Sequence, residues 1–152
     1  MTARTFAVVF GMIFLVVGIL GFVPGLVGGP GAGAPPLGIR GGYGYLFGLF
    51  PINILHNLVH VVLGVWGLIA ARALPPARTY ARGLTWIYAI LAVMGLMPGL
   101  STLFGLVPLF GHDVWLHALT AIVAAWFGYR DRPVSGIEAP DEPVRERERS
   151  RW

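Results

Sequence analysis

The chain has 152 residues, enough for one domain, and carries 12% charged against 56% hydrophobic residues, with a mean hydropathy of +0.73. A soluble domain usually carries about 25% charged residues, so most of this surface is expected to face something other than water. The absence of cysteine excludes disulfides, thiolate metal sites and cysteine nucleophiles. The net charge of +4 sits on arginines at helix ends and in the C-terminal tail, without a basic stripe of interleaved aromatics, which argues against nucleic-acid binding.

A bilayer core of about 30 Å is crossed by roughly 20 mostly apolar residues, and four stretches meet that need. The first covers about residues 6–23 and is closed by Pro24. A signal peptide competes for this segment, since Arg4, an apolar run and Ala32-Gly33-Ala34 follow in order. The apolar run exceeds the roughly 7–15 residues of a signal-peptide core, however, and Pro35 would fall just after the cut. The segment from Gly25 to about Tyr45 reads as a loop, and Gly28-Gly29-Pro30-Gly31 within it as a flexible stretch, because it lacks the GKS/T ending of a phosphate loop.

The second span is predicted over about residues 52–71. The third covers about 80–97, with Arg82 in its first turn and Pro98 closing it, and the fourth about 114–129. Residues 1–130 thus form the membrane domain. Residues 131–152 alternate in charge through Arg145-Glu146-Arg147-Glu148-Arg149 and read as a disordered cytoplasmic tail.

Arginine placement orients the bundle. Arg4, Arg72, Arg78, Arg82, Arg130 and Arg132 gather on one side, and only Arg40 lies on the other, so the positive-inside rule puts both termini in the cytoplasm. Trp and Tyr residues near the span ends fit aromatic belts at both interfaces.

The two halves echo each other. The segment from Val16 to Leu26 matches that from Ile90 to Leu100 with Pro24 against Pro98, an offset of 74. Phe47-Gly48-Leu49-Phe50-Pro51 matches Phe104-Gly105-Leu106-Val107-Pro108 at an offset of 57, and the difference of 17 residues is extra length in the first loop. Two tandem helical hairpins of like orientation imply a pseudo-two-fold axis along the membrane normal, a parallel repeat. The expected fold class is therefore all-α, an integral membrane four-helix bundle. Gly64, Gly67, Ala121 and Ala125 offer small surfaces for close helix contact.

The informative polar residues are Asn53, His56, Asn57 and His60, whose helical spacing puts them on one face of the second span, and Asp113 and His117, four apart on the fourth. The offset of 57 pairs His56 with Asp113 and His60 with His117. His60 and His117 lie roughly 13 Å below the start of their helices, and ionisable groups at such depth belong inside the bundle. One reading is structural, with hydrogen bonds across helices fixing register, Asn53 capping the second helix and Asp113 the fourth. A second is a metal site, with His56, His60, Asp113 and His117 offering nitrogen and oxygen ligands to zinc or a similar divalent ion. A third is a b-type haem between His60 and His117, with Gly64 and Ala121 leaving room for a porphyrin edge. A proton or substrate path lined by the same residues is a fourth.

Several segments resemble a bacterial family of small four-helix membrane proteins, frequent in actinobacteria and described as a domain of unknown function. They are Gly21-Phe22-Val23-Pro24-Gly25, His56-Asn57-Leu58-Val59-His60 with Gly64 following, Pro108-Leu109, and Asp113-Val114-Trp115-Leu116-His117. The resemblance covers about residues 4–130 and implies the fold class and a bacterial inner-membrane location. Taken together, the sequence points first to a non-enzymatic structural or accessory membrane component. It would rest in the lipid bilayer, alone, as a homo-oligomer or beside a partner membrane protein. A metal- or haem-binding redox or transport protein is the rival. A lipid-acting enzyme lacks a nucleophile near the histidines in sequence, although Ser101 and Thr102 could approach in space.

Overall fold

A computed structural model describes residues 1–130, so the tail expected to be disordered lies outside the described residues. Four helices dominate: α1 (Ala3–Leu20), α2 (Ile54–Ala70), α3 (Leu74–Leu96) and α4 (His112–Tyr129). The Thr2 hydroxyl caps α1 by accepting from the Thr5 amide. α3 begins six residues earlier than the apolar pattern suggested, because Pro75 and Pro76 fall in its first turn, where the missing N–H groups cost nothing. Arg82 is therefore not in the first turn. Its apolar stem runs along α4, its Nε donates to the Gly128 carbonyl at 2.8 Å and its guanidinium lies 5.1 Å from the Tyr129 ring.

α1 packs closely on α2, and α3 on α4, while contact between the two pairs is thinner. Inside the first pair the backbones meet. A Cβ on Gly64 would lie 2.7 Å from the Leu15 nitrogen, and one on Gly11 would lie 3.0 Å from the Gly64 carbonyl oxygen. In the second pair the small residues Ala77, Ala81, Ala121 and Ala124 are buried, so Ala124 rather than Ala125 serves the close contact. Between the pairs, aromatic rings fill the space: Phe6 stacks on Phe127 at 5.1 Å, and Trp66 meets Tyr80 edge-on at 4.9 Å.

The outer faces of all four helices are apolar. Ile19, Val62, Ile90 and Ile122 are all more than half exposed. α1 and α3 are each long and apolar enough to cross a membrane, and α2 is a shorter apolar helix of 17 residues. α4 fails that test although it has 18 residues, because His112, Asp113 and His117 crowd its first turns.

The long first loop leaves Gly29-Pro30-Gly31 exposed and outside any strand, and builds structure at its ends. After a 3-10 turn at Pro24–Leu26, its ends build a small antiparallel sheet of β1 (Val27–Gly28), β2 (Gly44–Leu46) and β3 (Phe50–Ile52), in the order β1-β2-β3. The intervening chain crosses to the other half, where the Gly38 amide donates to the Gly105 carbonyl at 2.8 Å. Leu37, Leu46, Ile52 and Leu109 are buried beneath this cap. Asn53 ties it down: its Nδ2 donates to the Ile39 carbonyl at 3.0 Å and to the Leu106 carbonyl at 2.7 Å.

Candidate functional site

Asn53 is also the N-cap of α2, its Oδ1 accepting from the His56 amide at 2.9 Å. One side chain thus fixes the cap and the helical turn that carries His56. His56 and His60, one turn apart, point into the bundle with ring centroids 4.6 Å apart. From α4 come Asp113 and His117, also one turn apart and buried. Asp113 does not cap α4. The cap position is Gly111, at φ 68°, with no side-chain bond, and Asp113 lies one residue inside the helix with its carboxylate turned inward.

His56 Nδ1 lies 3.8 Å from Asp113 Oδ2, across the seam between the helix pairs. One donor atom each from His56, Asp113 and His117 fall within 4.8 Å of one another. His60 adjoins this trio without joining it, its ring stacked on Phe14 at 5.5 Å. His117 likewise rests against Tyr88, centroid to centroid 5.0 Å, and Phe14 and Tyr88 lie face to face at 5.4 Å and 4°. A cavity of about 220 Å³ borders the group, with His56, His60, Tyr88, Asp113 and His117 along its inner side.

The six polar residues singled out from sequence therefore divide. His56, His60, Asp113 and His117 gather at one place. Asn53 serves the cap, and Asn57 faces α1, donating to the Gly21 carbonyl at 2.8 Å. Asn57 packs so closely on Gly21 that a Cβ there would meet its amide. His112 is exposed and lies edge-on to Phe50. Tyr88 and Phe14 are site residues that the sequence reading passed over. The offset of 74 pairs them with each other and was the signal available.

Hydrogen bonding separates the readings. The structural reading asks for bonds across helices, and Asn57 supplies one to the C-terminal end of α1, while Asn53 bonds the two loops. His56 Nδ1, His60 Nδ1, His117 Nδ1 and Asp113 Oδ2 are buried without a hydrogen-bond partner. A buried polar atom left unpaired costs about 1–3 kcal/mol, so four together are a poor way to hold a bundle. The residues do not fit haem. Phe14 and Tyr88 fill the space between His60 and His117, and Gly64 is used up by the approach of Leu15 rather than leaving room for a porphyrin. The cavity also falls below the roughly 300–1,000 Å³ usual for small-molecule clefts.

Among the described residues the molecule is an all-helical bundle with a small sheet at one end and a buried His/Asp centre. The chain belongs to the family described as a domain of unknown function, DUF4383, whose profile matches residues 4–130. Neither the curated proteins nor the solved structures include a match.

Proposed function

We propose that this is a four-span bacterial inner-membrane protein that binds a divalent transition-metal ion through His56, Asp113 and His117. The observation that carries the reading is the convergence of three buried donor groups, from two helices of different pairs, two of whose converging side chains keep a nitrogen and one an oxygen without a partner. Two imidazoles and a carboxylate suit zinc or non-haem iron, and such a three-ligand set leaves a coordination position open. Tetrahedral bonds of ~2.0–2.1 Å put ligand atoms ~3.4 Å apart, so the donors, which lie within 4.8 Å of one another, need to close by up to ~1.4 Å.

Metal content of detergent-purified protein without an affinity-tag histidine tract tests it. About one equivalent of a single metal is expected, with near-complete loss in both His56→Ala and His117→Ala. No metal above background after supplementation would sink the reading and return the histidines to a structural role.

Four spans and a tandem repeat are supported by the apolar outer faces and by contacts that recur between halves. Gly21 against Asn57 has its counterpart in Gly95 against Val114, and Phe14 on His60 in Tyr88 on His117. Phe47-Gly48 and Phe104-Gly105 share positive φ, at 54° and 72° and at 57° and 83°. The arginine distribution supports a topology with both termini in the cytoplasm. Because the chain lacks cysteine, single cysteines report topology directly. Cysteine at Gly29 or Ser101 should react with a membrane-impermeant maleimide in intact cells, and cysteine at Arg78 only after lysis. Equal labelling of all three in intact cells would refute this topology.

A further inference from the structure

We propose that the α3–α4 face at the arginine-rich end of the bundle binds an anionic phospholipid, with Arg82 and Arg130 taking the phosphate and the outer groove of α4 taking an acyl chain. The proposal rests on the four-span reading above, which sets this end against the cytoplasmic leaflet.

Charge comes first. Residues 1–130 carry six arginines and a single acid, Asp113, which is buried at the His/Asp centre. Five of the six, Arg4, Arg72, Arg78, Arg82 and Arg130, belong to the same end of the bundle. Among the described residues none of them meets a carboxylate, since the one ion pair joins His56 to Asp113. Residues 131–152 bring five arginines against six acids, so on balance they offset one arginine and leave this end cationic. The counter-charge has to come from outside the chain, and the anionic cytoplasmic leaflet supplies it.

Geometry then picks out one place. Arg82 Nε donates to the Gly128 carbonyl at 2.8 Å, and its guanidinium lies 5.1 Å over the Tyr129 ring. The Tyr129 hydroxyl is held in turn by Trp86 Nε1 at 2.8 Å. One edge of the guanidinium is thus fixed, while its Nη groups have no partner among the described residues. Beside it the Arg130 guanidinium lies 5.1 Å over the Trp126 ring. A planar fork already held in place loses little freedom when it meets a phosphate with two parallel bonds. Arg4 makes the same bond at the equivalent carbonyl of the first half, its Nε donating to Ala71 at 2.9 Å. There, however, Ile69 and Arg72 stand where the second half has Trp126 and Tyr129.

The surroundings fit a lipid better than a free phosphate. Trp86, Trp126 and Tyr129 are 63%, 60% and 48% exposed, rings of the type that rest at headgroup level. A groove of about 810 Å³ runs along α4 past Ile122, Ala125 and Trp126 to Tyr129 and Arg130. That volume lies within the roughly 300–1,000 Å³ of small-molecule clefts. An acyl chain matches its apolar walls and a phosphate matches the arginine at its end. A zwitterionic phospholipid offers the same phosphodiester, but its ammonium group is repelled by the two arginines.

The test places the full chain in nanodiscs of equal parts phosphatidylglycerol and phosphatidylcholine, and native mass spectrometry identifies the lipid that stays with the released protein. Wild type should retain about one phosphatidylglycerol per chain. Diffuse attraction to an anionic surface is worth about fivefold per arginine wherever it stands. A built site asks more of Arg82, so Arg82→Gln should lower the preference for phosphatidylglycerol at least tenfold. Arg82→Lys keeps the charge without the fork and should lower it nearly as much. Arg72→Gln makes the same charge change at the same end and should not exceed the fivefold. Should Arg82→Gln loosen α3 from α4, Arg130→Gln reads the same site without breaking a side-chain hydrogen bond among the described residues, and it too should lose at least tenfold. Equal effects of Arg72→Gln and Arg82→Gln, a preference kept by Arg82→Lys, or no retained lipid would each overturn the proposal. A wild-type dimer that Arg82→Gln disperses would also overturn it, by giving the face to a second copy. The four-span reading is judged apart, by the cysteine at Arg78, whose labelling in intact cells would refute the topology whatever lipid is retained.

Discussion

Replacing Gly64 by valine is expected to break the bundle. Even a single Cβ at this position would lie 2.7 Å from the Leu15 nitrogen and 2.8 Å from the Gly11 oxygen, and both are main-chain atoms of α1. A flexible side chain could swing aside. A helix backbone moves only as a whole, carrying Phe6, Phe14 and their ring contacts with it. Overpacking typically costs about 1–3 kcal/mol, and a backbone neighbour puts Gly64→Val at roughly the upper end of that range. At about 2–4 °C per kcal/mol for a chain of this size, the thermal midpoint in detergent should fall by roughly 10 °C. Gly25→Ala is the control, since nothing lies within 4 Å of a Cβ there, and its midpoint should not move. An unchanged midpoint for Gly64→Val would mean that α1 and α2 are not held backbone to backbone.

Asp113 is expected to separate stability from metal binding. Its carboxylate is 3% exposed, and Oδ2 has no hydrogen-bond partner. The unpaired atom costs about 1–3 kcal/mol, whereas a carboxylate in the first turn of a helix gains only about 0.3–1 kcal/mol from the dipole. His56 Nδ1, 3.8 Å away, is not hydrogen-bonded to Asp113 and loses no bond when the carboxylate goes, so the cost of the unpaired oxygen wins and Asp113→Leu should raise the stability of the metal-free protein by about 1–2 kcal/mol. The same substitution removes a ligand and should abolish stoichiometric metal. Asp113→Asn keeps the shape and should lose at least about 10–100-fold in metal affinity, the range seen for weaker, outer-shell changes. Denaturant unfolding of stripped protein and metal titration check the two halves. If Asp113→Leu destabilises the stripped protein, Asp113 is a structural tie and the metal reading loses its carboxylate.

The helices were legible because apolar runs of the necessary length are rare and Pro24 and Pro98 mark where two of them stop. The start of α3 was not, because Arg78 and Arg82 dilute its apolar character and two prolines look like a break when they are a first turn. The sheet left no trace in the sequence, since strands of two or three residues are too short to show alternation. The polar face was read correctly as a spacing and too broadly as a surface. Successive residues turn by about 100° around a helix, so Asn57 points to α1 while its neighbour His56 points across to Asp113. The offset of 57 aligned His56 with Asp113 only as equivalent positions, and that their side chains meet at 3.8 Å follows from packing, which the offset did not state. Tyr88 was invisible because a tyrosine in the middle of an apolar run looks like any other core residue.

The seam between the two helix pairs has a mechanical consequence. Within each pair the helices meet through main-chain contacts at small residues, while between the pairs the helix bodies meet through side chains and the loops add the Gly38–Gly105 main-chain bond. A motion that parted the pairs as two plates would separate the stacked rings of Phe14 and Tyr88. His56 rides on one plate, Asp113 and His117 on the other, so an ion held by all three acts as a clasp. At an ion concentration one hundredfold above its dissociation constant, the clasp adds about 2.7 kcal/mol to the closed form, and release of the ion leaves the plates free to part.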